Sequence, residues 1–242
     1  MKKLMAAGAV MIVAAAGVWA DIASPREQWE TVRMDSETVR VTLTASEVVV
    51  NATFVMTNTG EASEVVVGYP RGPLEAELED FKASVDGKAI KDVADGPEKK
   101  AGSAGVKGGR RGPAYGGSYK FAGDYAGWKV FKVPFAEGQT RTVVVSYRTK
   151  PTPVKVKDQG DALFYSYIMR TGATWKGKIG EADIAIEIAP FAREILAVSP
   201  KPTEMVEART DPPHTSVRWR MKDFEPDSNI EITIRVPRPA GT

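Results

Sequence analysis

The chain of 242 residues carries 33 Lys and Arg against 31 Asp and Glu, a single His and no Cys. Those counts exclude metal clusters built from histidine or cysteine, a disulfide framework, and any global electrostatic pull toward nucleic acid. A chain without cysteine must hold together through its hydrophobic core.

The first predicted element is a leader. Lys2 and Lys3 precede an apolar run from Leu4 to Val18 that ends in V-W-A before Asp21, with small residues at the positions signal peptidase reads. The run is shorter than the roughly 20 residues of a spanning helix, so residues 1–20 read as a signal peptide rather than an anchor. No cysteine follows for lipid attachment. The leader holds two of the 33 basic residues and none of the 31 acidic ones, which leaves the remainder formally neutral. The expectation is a soluble protein, periplasmic or secreted, without stable membrane insertion after cleavage. About 220 mature residues suffice to bury a core.

Beyond the leader, period-two alternation dominates. R-V-T-L-T-A and E-V-V-V-N-A-T-F-V-M-T-N, separated by a tight connection near Ser46, read as paired strands. Leu74, Leu78 and Phe81 on the acidic background of Glu75, Glu77, Glu79 and Asp80 suggest a short helix. Trp128 to Phe135 and Thr140 to Thr149, joined at Glu137 to Gln139, read as an antiparallel hairpin. In the last third, Ile184, Ile186 and Ile188, then Val217, Trp219 and Met221, then Ile230, Ile232, Ile234 and Val236 alternate with polar residues. The fold class is all-β, an antiparallel β-sandwich of immunoglobulin-like type, as one sandwich or two packed β-domains. The prolines and broken pattern at 150–160 read as a linker or crossover between an N-terminal domain, 21–149, and a C-terminal β-rich domain, 161–242.

Two stretches interrupt this regularity with candidate chemistry. Residues 94–127 form a glycine-rich basic loop, too long to be an ordinary connection. Lys99, Lys100, Arg110 and Arg111 with Tyr115 and Tyr119 are candidate binding residues, since a basic tract with interleaved aromatics can order on an acidic partner. A phosphate-loop spacing, G-x-x-x-x-G-K-[ST], is absent. The competing reading is a solvated loop with no partner.

Catalytic patterns are sparse. His214, after two prolines, has no G-x-S-x-G partner motif. Asp227, Asn229 and Glu231 imitate the start of a calcium loop but lack its glycine and distal glutamate, which leaves a turn followed by a strand face. Glu79 with Asp80, and Asp158 with Asp161, are carboxylate pairs, and the latter gives the alternative of an acid-based hydrolase acting on envelope polysaccharide.

The second interruption is F-Y-S-Y-I-M-R-T-G-A-T-W-K-G-K-I-G, Phe164 to Gly180. Bulky residues on both faces place this strand deep. Gly172, Gly177 and Gly180 are expected to supply positive φ around Trp175. The indole reads as a buried plug or as a sugar-binding platform. The stretch resembles a motif of exported bacterial proteins grouped as a domain of unknown function, an aromatic strand followed by T-G-x-x-W-x-G-x-I-G. F-V-M-T-N-T-G-E, V-V-V-G-Y-P, D-F-K-A-S-V-D-G-K and W-K-V-F-K-V-P-F extend the resemblance from Val41 to Ile188. It implies an exported β-rich fold and brings no catalytic residue. The functional expectation is a cell-envelope module that binds or scaffolds, with an envelope protein or polysaccharide as partner, no nucleic acid and no cofactor.

Overall fold

The computed structural model describes residues 31–70, 78–96, 128–189, 194–208 and 214–236. Strands in chain order are β1 (Val32–Leu43), β2 (Val48–Asn58), β3 (Ser63–Pro70), β4 (Glu79–Val85), β5 (Lys88–Ala89), β6 (Ala94–Asp95), β7 (Trp128–Phe135), β8 (Thr140–Thr149), β9 (Thr152–Val156) and β10 (Gly160–Tyr167). After a 3-10 turn at Arg170–Thr174 come β11 (Ile179–Ile188), β12 (Glu194–Ser199), β13 (Glu204–Ala208), β14 (His214–Phe224) and β15 (Ile230–Arg235).

They form three sheets. The largest has eight strands in the order β13-β14-β11-β1-β2-β8-β4-β5. A four-stranded sheet runs β12-β15-β10-β9, and a three-stranded sheet runs β3-β7-β6. All pairs are antiparallel except β1 with β11, which run parallel from Ser36 opposite Glu181 to Leu43 opposite Ile188. That pairing fuses the two halves of the chain into one sheet.

Alternation decides which face of the large sheet is covered. Val39, Val41 and Leu43 of β1 stand in register with Ala52, Val50 and Val48 of β2 and with Ile184, Ile186 and Ile188 of β11, and all are buried. Their sequence neighbours Thr38, Arg40 and Thr42 are exposed on the opposite face. Both small sheets pack against the apolar face. Tyr69 of β3 meets Tyr147 of β8 edge-on at a ring separation of 5.2 Å and Phe81 of β4 at 5.8 Å. Tyr167 of β10 reaches Glu37 of β1. The all-β sandwich expected from the alternation is therefore what forms, with one of its layers divided into two sheets.

Three local expectations change. Phe81 belongs to strand β4, while Leu74 of the expected helix lies outside the described residues. The β7–β8 turn is no hairpin, because β7 pairs with β3 and β8 pairs with β2 and β4. The chain changes layers there, and buried Asn58 holds the crossing: its Nδ2 donates to Glu61 O at 2.8 Å and Ala136 O at 3.1 Å, while its backbone N–H donates to Gln139 O at 2.9 Å. The stretch 150–160, read as a linker, carries β9 and a turn into β10, with which β9 pairs. Pro153 is tolerated because β9 is an edge strand and can leave one donor position unused.

Candidate functional site

The basic-loop candidates Lys99, Lys100, Arg110, Arg111, Tyr115 and Tyr119 lie outside the described residues. The ends of that segment are placed: Gly96 N–H donates to Trp128 O at 2.7 Å and Lys129 Nζ lies 2.6 Å from Asp95. The chain therefore leaves the described residues after β6 and returns at the start of β7, its neighbour in the three-stranded sheet.

Trp175 is 1% exposed, in the core cluster shared by all three sheets. The 3-10 turn aims it inward, and Lys176 N–H then donates to Val32 O at 2.8 Å, tying the segment to the start of β1. With no face open to a ligand, the plug reading replaces the platform reading. Of the three glycines, only Gly177 has positive φ, +64°; Gly172 sits within the 3-10 turn. Gly180 serves a different need, since a Cβ there would collide with the Asp35 carbonyl.

The carboxylate candidates are surface groups. Asp158 sits at φ +63° in the β9–β10 turn, and Asp161 is exposed on β10 opposite Lys155. Asp80 pairs with Arg148. Asn229 accepts from Arg170 N–H at 3.5 Å at the foot of β15, and Asp227 is exposed in the preceding turn. Glu231 is half-buried, and burial raises its carboxyl above the usual range. His214 opens β14 with Nε2 at 3.5 Å from Glu187. Among the described residues no group of three or more His, Cys, Asp or Glu is placed to hold a metal ion.

The structure adds two features that alternation did not single out. One is interior: Glu37 is 1% exposed, its Oε1 accepts the Tyr167 hydroxyl, and its Oε2 has no hydrogen-bond partner among the described residues. Burial pushes its pKa up to about 7, and the Tyr167 hydrogen bond opposes this less strongly. A register shift between Met34 and Ser36 switches the inward positions from even to odd numbers, and this turns Glu37 into the core. Tyr165 is buried nearby on β10, and burial together with the neighbouring Tyr147 raises its phenol. A carboxyl of this kind can take up or release a proton near neutrality.

The other is an edge. Strand β13 closes one end of the eight-stranded sheet, and Glu204, Met205, Val206 and Glu207 are exposed. Met205 at 46% and Val206 at 44% are the only large apolar side chains standing exposed among the described residues. Adjacent in sequence, they point to opposite faces: Met205 is opposite Val217 on the packed side, and Val206 is opposite Ser216 on the open side. Glu204 and Glu207 flank them. Glu204 lies 3.5 Å from Arg220, and Glu207 has no ion-pair partner among the described residues. The sequence signal, E-M-V-E-A, was too short and too weakly alternating to single out.

No family model matches the chain, and no curated protein matches it. Among solved structures, a candidate nutrient-binding protein from Legionella pneumophila superposes with a TM-score of 0.62 at 16% identity, over 90% of this chain and 70% of that one. That likeness establishes the fold. An M1 zinc metallopeptidase from Deinococcus radiodurans aligns at a TM-score of 0.41 and 9% identity, over 86% of this chain and 43% of that one. Neither likeness transfers a ligand or a reaction. No helix of the described residues is long and apolar enough to cross a membrane.

Proposed function

We propose that the protein is an exported, non-catalytic binding module of the cell envelope that holds a protein partner along the β13 edge. The observation that carries this reading is the coincidence, among the described residues, of a strand edge without a neighbour and the two exposed large apolar side chains, Met205 and Val206. An edge strand offers a row of unpaired N–H and C=O groups, and proteins ordinarily blunt it with charge, proline, bulges or brevity. Four of the five other edges follow that rule, the exception being β3. Strand β9 carries Pro153 and Lys155, β5 and β6 are two residues each, and β12 has a register shift between Ile195 and Ala197. Strand β13 keeps apolar groups on both faces. Export rests on the Lys2, Lys3, Leu4–Val18, V-W-A leader, and the resemblance around Trp175 supports the same address.

The test is crosslinking capture from native envelope, comparing the purified chain with a Met205→Lys/Val206→Lys variant and with one lacking residues 96–117. A protein captured by the parent, lost with the double lysine variant and kept after the deletion supports the edge. Loss with the deletion alone moves the site to the basic loop and overturns this reading.

A further inference from the structure

We infer that β13 accepts an extended segment with a basic-apolar-apolar-basic pattern, which it adds to the eight-stranded sheet as a ninth strand. This inference rests on the reading of β13 as the binding edge and names the chemistry of its partner.

Geometry fixes the pattern. Along β13, Glu204 and Val206 face the open side of the sheet, beside Arg218 and Ser216 of β14, while Met205 and Glu207 face the packed side, beside Val217 and Thr215. Alternate residues of the strand turn their N–H and C=O groups away from β14, so an incoming backbone completes the ladder whatever its sequence. Selectivity then comes from the side chains directly across. An apolar residue covers Met205 on one face, and another covers Val206 on the other. Cationic residues answer Glu204 and Glu207. Because the strand reads acid-apolar-apolar-acid, the complementary pattern is the same in either direction.

The same charges argue against a second copy of this chain. Edge-to-edge antiparallel pairing of two copies keeps like faces together, so its two-fold axis passes through a residue; centred on Met205 it places Glu204 opposite Val206 and Glu207 opposite Thr203, and no cation meets either acid. Shifting the centre to Val206 places Met205 opposite Glu207 and Glu204 opposite Ala208, and leaves both acids uncompensated. Arg220 already neighbours Glu204 and blunts one site, so Glu207 is the stronger discriminator.

The experiment titrates the full chain with two dye-labelled nine-residue peptides, one centred on Lys-Val-Val-Lys and one on Glu-Val-Val-Glu, by fluorescence anisotropy at low salt. The expected result is saturable binding of the basic peptide at least tenfold tighter than the acidic one. A Glu204→Lys/Glu207→Lys variant should invert that order, since both positions are exposed and the exchange leaves the core untouched. A circular dichroism melt of the variant checks that the fold persists, and Glu207→Gln alone should narrow the preference. Equal binding of the two peptides, no binding of either, or a preference unchanged in the double variant overturns the inference. Envelope capture that depends on Met205 and Val206 while the peptides show no charge preference would retain the edge as the site and refute its partner chemistry. Crosslinks between copies of the chain through β13 would refute both.

Discussion

The Tyr167 hydroxyl of β10 donates to the Glu37 carboxylate of β1, joining the four-stranded sheet to the eight-stranded one through a polar contact inside an apolar core. A raised carboxyl binds its proton more tightly in the folded state, so its stabilising contribution is complete below the unfolded value of 4.5 and is lost as pH rises to about 7. At 1.4 kcal/mol per unit, this loss is roughly 3 kcal/mol. Urea unfolding at pH 5 and pH 8 should show the parent losing stability across this window and Glu37→Gln losing much less, with the variant the more stable of the two at pH 8. Parallel losses would assign the pH dependence elsewhere.

Gly180 predicts a second outcome. A methyl group there meets the Asp35 carbonyl at the register shift where β1 and β11 begin to pair, and backbone cannot yield as a side-chain tip can. Gly180→Ala should cost about 2 kcal/mol or more. Gly177→Ala faces open space and meets only the strain of φ +64°, about 1 kcal/mol. Chemical denaturation should rank the two in that order, and the reverse order would refute the steric account.

Trp175→Ala empties a fully buried indole site and should cost about 3–5 kcal/mol. A melting temperature within a degree or two of the parent would show the indole to be dispensable to the core.

On the open face, Asp183 accepts from both Arg218 and Arg40. The Arg218 hydrogen bond, with Arg40 behind it, lowers its pKa to about 2. The sign is opposite to that of Glu37, since this contribution is present above 3.8 and is lost as pH falls toward 2. Partial exposure limits its size, and Asp183→Asn should cost about 1 kcal/mol at neutral pH and near nothing at pH 2. Equal cost at both pH values would point to packing rather than charge.

The strands were legible because one face of each is buried, and burial writes itself as alternation. Val39, Val41, Ile184, Ile186, Ile230 and Ile232 declared their faces in this way. Layer assignment was not legible. The Gly138 turn, φ +66°, has the same local chemistry whether the chain folds back within a sheet or crosses to the other layer, and only the Asn58 hydrogen bonds made at long range decide between them. The parallel β1–β11 pairing has no local signature for the same reason. Glu37 escaped notice because a one-residue shift in register reverses which residues face inward. Trp175 showed its size and its glycine setting in the sequence, but exposure is a property of what packs around it.

Because β1 lies between β2 and β11 at the heart of the large sheet, one of the earliest strands to be synthesised acquires a full set of neighbours only after the chain has extended to Ile188. Pairings so remote in sequence are slow to form. Each half owns one small sheet but neither owns the whole of the large one, so a chain interrupted between them would display the long flank of β1 as a bare, adhesive border. Such a chain stays unfinished until late in its synthesis, a delay that would suit the export proposed above.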